Sequence, residues 1–224
     1  MSCRACTGIG CIDYKSCPRH SSRGDNKKTY FHKIPIFRLG INVRRFFMHY
    51  LIVPGLNNSD EKHWQTFWQK SLQNTSRVPQ RDWDHPQKTE WIATLKATVE
   101  NLKEDTIIVA HSLGVATTVM YLTQNHSNIP SHVKGAFLVS PSDVDNIEVI
   151  KHFAPMPLEK LPIPACVVAS ENDQFVSMER AQFFASAWGV KLFNAGKLGH
   201  INSASDLREW EQGRAFLAEF ERMI

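Results

Sequence analysis

Cysteine is nearly absent from most of this chain: beyond Cys17 only Cys166 remains. That excludes a disulfide framework there, and one apolar cysteine fits a reducing, cytoplasmic setting. No apolar run approaches the roughly 18 residues of a membrane span, so no membrane is expected as a partner. No Gly-x-Gly-x-x-Gly follows a strand-like run and no Gly-Lys-Ser/Thr closes a loop, which leaves a nucleotide cofactor without support. No histidine pair has His-x-x-x-His spacing, so neither a metal nor any other cofactor is expected. Acidic residues are scarce in one region only: residues 1–47 hold ten Lys and Arg against Asp13 and Asp25. That stretch carries +8 and 48–224 carries −4, so the net +4 does not belong to the larger part. Nucleic-acid binding needs a basic face on a folded domain, and none is expected here.

Residues 1–47 read as a basic, cysteine-containing leader outside the fold, disordered or not native to the protein, with Met48 opening the domain. Cys3, Cys6, Cys11 and Cys17 offer one tight pair, whereas structural zinc sites usually combine two. A secretory signal needs roughly 7–15 continuous apolar residues, and none precede Met48. A basic transit peptide suits the composition better, but Asp13 and the cysteines count against it.

Residues 48–224 amount to one domain, large enough to bury a core. Short apolar runs alternate with longer amphipathic segments. This predicts β-α units: a doubly wound, mostly parallel sheet with helices on both faces. Expected strands are 48–54, 106–111, 135–140, 164–170 and 190–194, with a short one near 77–80. Expected helices are 60–74, 88–102, 114–125, 178–188 and 207–223.

The densest chemical signal is Ala110-His111-Ser112-Leu113-Gly114, between the apolar run 106–109 and the helix-like 115–122. Small residues two before and two after a serine, at a strand-to-helix turn, are the plan of a nucleophile elbow. Alanine replaces the usual first glycine at a cost of one methyl. Such a serine needs an acid and then a histidine later in the chain. Asp173 follows the apolar run 164–170, and His200 lies in a glycine-bearing loop beyond 190–194. The bland readings are a helix N-cap for Ser112, a turn residue for Asp173 and a histidine packed on Trp188 or Trp210 for His200. Glu171, or Asp143 with Asp145, could also supply the acid.

Acyl transfer creates an oxyanion that needs two preorganised donors. The backbone N–H of Leu113 is one candidate; that of Leu56, with Asn57 next, is the other, Gly55 allowing the close approach. Gly55, His111 and Trp83 are candidates for the pocket. Trp64 and Trp68, four apart, read as core, and Cys166 as an inert buried thiol.

The chain also resembles the retinoblastoma-binding protein 9 family of small serine hydrolases, especially its bacterial members. The segments that carry this are Val53-Pro54-Gly55-Leu56, His63-Trp64-Gln65 with Trp68, Asp82-Trp83-Asp84-His85-Pro86 with Trp91, Ala110–Gly114, Leu161–Pro164, Ala169–Asp173 and Gly199–Asn202. They run colinearly across 48–224. The resemblance implies a minimal α/β-hydrolase without a large cap, with Ser112, Asp173 and His200 as its triad. The expected activity is hydrolysis of a small-molecule ester, thioester or amide through an acyl-enzyme. A protein-binding module with vestigial catalysis is the alternative, and an acyltransferase a third; a protein partner has no support in the sequence itself.

Overall fold

The computed structural model describes residues 48–224. The leader expected over 1–47, its cysteines and the Met48 boundary itself therefore lie outside or at the edge of the described residues. Six strands form one sheet: β1 (His49–Val53), β2 (Thr75–Arg77), β3 (Thr106–His111), β4 (Val133–Val139), β5 (Ala165–Ala169) and β6 (Lys191–Asn194). Their order is β2-β1-β3-β4-β5-β6, and every pairing is parallel. The described residues also form five α-helices: α1 (Trp64–Ser71), α2 (Lys88–Asn101), α3 (Leu113–Gln124), α4 (Met178–Trp188) and α5 (Glu211–Glu221).

Side-chain alternation along the strands builds two cores. Leu51, Val53, Ile108, Ala110, Leu138 and Val167 face α2, α3 and α4 through Leu95, Val119 and Phe184. Tyr50, Ile52, Ile107, Val109, Phe137 and Val168 face α1 and α5 through Trp64, Trp68, Leu217 and Phe220. The sheet is thus covered on both faces, with no large cap inserted among the described residues. Because β1 lies between β2 and β3, the chain reverses its winding there. Open parallel sheets bind ligands at such a switch point, beyond the carboxyl ends of the strands.

Several boundaries differ from expectation. Helix α1 starts at Trp64 rather than at 60, because Asn57 and Asn58 take left-handed φ of 61° and 63° and Asp60 accepts the Lys62 amide at 2.9 Å. His63 caps the helix instead, its Nδ1 accepting the Gln65 amide at 3.1 Å. Helix α5 starts at Glu211 rather than at 207, because Asp206, Arg208 and Trp210 all have positive φ. That contorted stretch delivers Trp210 against Trp64, tilted at a centroid distance of 5.0 Å, and stacked on Trp68 at 5.9 Å. Strand β2 covers 75–77 rather than 77–80, and a 3-10 turn at Glu148–Phe153 was not expected at all. Among the described residues no helix is long and apolar enough to cross a membrane.

Candidate active site

Strand β3 ends at Ser112, whose φ of 57° and ψ of −124° mark a sharp, strained turn into α3. The turn is possible only because its neighbours are small. A Cβ on Gly114 would stand 2.3 Å from the Val53 carbonyl oxygen, and one on Gly55 would stand 2.7 Å from Ser112 Cβ. The loop after β1 therefore lies directly against the serine.

Asp173 and His200 reach the same point from the ends of β5 and β6. His200 Nδ1 lies 2.9 and 2.8 Å from the two Asp173 carboxylate oxygens. His200 Nε2 lies 2.8 Å from Ser112 Oγ. A carboxylate only accepts, so Nδ1 carries the hydrogen and Nε2 keeps a lone pair facing the serine hydroxyl. The Asp173 side chain is fully enclosed and also accepts the Phe175 amide at 2.8 Å.

The loops bearing acid and base are laced together. The Asn172 side-chain oxygen accepts from Ser170 Oγ at 3.0 Å and from the Gly199 amide at 2.8 Å. The Leu198 amide donates to Ser170 Oγ at 2.9 Å, and the Glu171 amide donates to the Gly196 carbonyl at 2.8 Å. His111 Nε2–H donates to the His200 carbonyl at 2.9 Å, and the Trp64 indole N–H donates to Ile201 at 2.8 Å. The rival acids are engaged elsewhere. Glu171 is exposed and accepts from Asn194, while Asp143 and Asp145 grip Arg180.

The loop candidates separate. The amides of Leu56 and Leu113 have no hydrogen-bond partner among the described residues. The Asn57 amide donates to the Trp83 carbonyl at 2.8 Å, which corrects its place as a reserve oxyanion donor. Its side chain lines the cavity instead. Trp83 is also corrected: it does not line the cavity but packs edge-on against Trp91 at 5.5 Å. Gly55 belongs to the wall behind the serine rather than to the lining, whereas His111 does line the cavity.

That cavity, about 430 Å³, opens over Ser112 and His200. Its lining is partly apolar, with Leu56, Ile147, Val149, Ile150 and Phe175, and partly polar, with Asn58, Asp60, His63, Asn202 and Ser203. Phe175 stands edge-on to His200 at 4.6 Å. Sequence reasoning missed the 147–150 segment, Phe175 and Ser142. The last two each lie within a few residues of a strand end already marked as chemical, and that position was the signal available.

Two further histidines under the site do not compete as bases. Burial pushes His63 down to about 3, with Arg77 and His200 adding to the effect and Asp60 opposing it. Burial, followed by the neighbouring His63 and His200, holds His111 well below the usual range. Burial likewise pushes the Cys166 thiol up, as its inert assignment requires. Among the described residues no three His, Cys, Asp or Glu cluster as metal ligands do.

The low value at His63 has a consequence for stability. Unfolded, the imidazole titrates near 6.5; folded, it titrates at about 3, so between these values the unfolded chain binds more protons. Stability from this group is complete above pH ~6.5 and is lost as pH falls toward 3. By pH 5 the loss should be roughly 2 kcal/mol, or about 4–8 °C in Tm for a domain of this size. His63→Asn keeps a cap acceptor but no titrating group, so its Tm should fall less between pH 7 and pH 5. Parallel melting curves for the two proteins would show that His63 does not carry the effect.

A family model described as serine hydrolase matches residues 50–219. A YdeN-like hydrolase from Pectobacterium atrosepticum is 29% identical, with a TM-score of 0.70 over 79% of this chain and 91% of its own. The ydeN gene product of B. subtilis is 22% identical, with a TM-score of 0.67 over 78% of this chain and 98% of its own. Est1E from Butyrivibrio proteoclasticus shares the fold at 14% identity, with a TM-score of 0.59 over 81% and 90% of the two chains. No curated protein sequence matches.

Proposed function

The chain belongs to the serine hydrolase family, and from that premise we propose that it hydrolyses small carboxylic esters or thioesters through Ser112, His200 and Asp173. The observation that carries this is the unbroken contact path from the enclosed Asp173 carboxylate through His200 to Ser112, with 2.8 Å at each link, at the floor of the cavity. His200 takes the Ser112 proton as Oγ attacks the carbonyl carbon. The amides of Leu113 and Leu56 receive the oxyanion, the former at the positive end of α3. Asp173 holds the imidazole tautomer and stabilises the imidazolium; water activated by His200 then releases the acid. Within the family, the colinear segments from Val53 to Asn202 favour the retinoblastoma-binding protein 9 group.

The apolar lining of Leu56, Ile147, Val149, Ile150 and Phe175 suits a short acyl or aryl group, and the polar lining a hydroxylated or charged leaving group. A buried methylene contributes about 0.8 kcal/mol. Across p-nitrophenyl esters, kcat/KM should therefore rise by up to roughly four-fold per added carbon from acetate. It should fall once the cavity is filled. A fluorophosphonate should label wild type and not Ser112→Ala. Failure to label wild type would refute the nucleophile, and a flat acyl-chain profile would refute the apolar acyl lining.

A further inference from the structure

Ser142 follows β4, is 3% exposed, and places its Oγ 2.8 Å from Ser112 Oγ. The partners fix the proton positions. Ser112 directs its single hydrogen at His200 Nε2, because that nitrogen carries only a lone pair. In the second contact Ser142 must then be the donor. We propose that Ser142 is a fourth catalytic residue, whose hydroxyl occupies one lone pair of the Ser112 oxygen and leaves a single lone pair for attack. This rests on the triad reading above.

A tetrahedral hydroxyl oxygen has four directions. At Ser112 one is the bond to Cβ, one is the O–H toward His200, and Ser142 takes the third. The fourth is the only one left for a carbonyl carbon, so both the rotamer and the line of attack are set before substrate arrives.

The donor itself is held firmly. The Ser142 amide donates to the Ser112 carbonyl at 3.4 Å, and the Val144 amide donates to the Ser142 carbonyl at 3.0 Å. Next in the chain, Asp143 accepts from Arg180 Nε at 3.0 Å and Nη2 at 3.2 Å, and Asp145 accepts from Nη2 at 2.8 Å. The Arg180 guanidinium in turn sits over the Phe184 ring at 4.4 Å. A loop tied to α4 in this way keeps Ser142 in place through turnover.

On attack, the Ser112 O–H bond breaks and its proton passes to His200. The Oγ–C bond forms, and the carbonyl π pair moves to the oxygen. Ser142 keeps its own proton throughout. Once Oγ becomes an ester oxygen it is a poor acceptor, so the Ser142 hydroxyl turns to the cavity that it also lines.

The test is the saturating rate at which a fluorophosphonate labels Ser112 in the full chain. Ser142→Ala releases the Ser112 rotamer from its line of attack and should lower that rate roughly three- to ten-fold, with half-saturation and Tm near wild type. Ser142→Thr restores the hydroxyl and should recover most of the loss. A Ser142→Ala rate within about two-fold of wild type overturns the proposal, as does a loss that tracks a lowered Tm and is shared by Ser142→Thr. Wild type that does not label at all overturns the triad reading, and this inference falls with it.

Discussion

Asp173→Asn should lower kcat for ester hydrolysis by about 10⁴-fold without unfolding the protein. Asparagine preserves volume and an acceptor oxygen for the Phe175 amide, which now bonds to Asp173 at 2.8 Å. It also places an NH₂ beside His200 Nδ1, which favours the tautomer with hydrogen on Nε2. That nitrogen then meets the Ser112 hydroxyl as a donor and can no longer take its proton. Ser112→Ala and His200→Ala should cost roughly 10⁴–10⁶ in kcat, and combining them should add little, because the three groups act as one unit. Glu171→Gln should remain near wild type, since the Glu171 side chain accepts from Asn194 at the exposed sheet edge, away from His200. Steady-state rates on p-nitrophenyl butyrate, with melting curves as the control for folding, decide the matter. Asp173→Asn at more than a tenth of wild-type kcat would remove Asp173 from the triad.

The second large effect falls on folding. Gly114→Ala at an ordinary helix position would gain about 1 kcal/mol from propensity. Here the added Cβ would meet three backbone atoms: the Val53 and Pro54 carbonyl oxygens at 2.3 and 2.5 Å and the Pro54 carbon at 3.0 Å. Backbone in the centre of a sheet cannot swing aside as a flexible side chain does. The sign should therefore invert, to a loss of about 3 kcal/mol or more, and Tm should drop by roughly 6–12 °C. An unchanged Tm would mean that β1 and the elbow are looser than these distances require.

The same contact explains why the elbow was legible in the sequence. Small residues around a serine, between an apolar run and a helix, reflect a local steric constraint, and local constraints leave local marks. The central strands β1, β3, β4 and β5 were legible because both their faces are buried and their apolar runs are continuous, whereas the half-exposed edge strand β2 was misplaced. The starts of α1 and α5 were not. The apolar spacing of 60–74 and 207–223 suits a helix, but Asn57 and Asn58 take the left-handed turn that asparagine tolerates, and Arg208 and Trp210 hold positive φ that their own side chains do not favour. Trp83 and Asn57 were misplaced because what decides their roles is a hydrogen bond between two loops. Ser142 went unnoticed beside Asp143, since a hydroxyl near a nucleophile has no sequence pattern, only a distance.

The lacing of the acid and base loops by Asn172 has a bearing on how such a protein diversifies. The hydrogen bonds from Ser170 and Gly199 to one carboxamide oxygen keep Asp173 and His200 in register without help from the 147–150 segment. That segment of the cavity lining is built on another loop, after β4. Substitutions at Val149, an exposed side chain on that loop, can reshape what is accepted while the bond-breaking apparatus stays as it was. Inheritance can therefore act on appetite and on chemistry separately, so one backbone can acquire many diets.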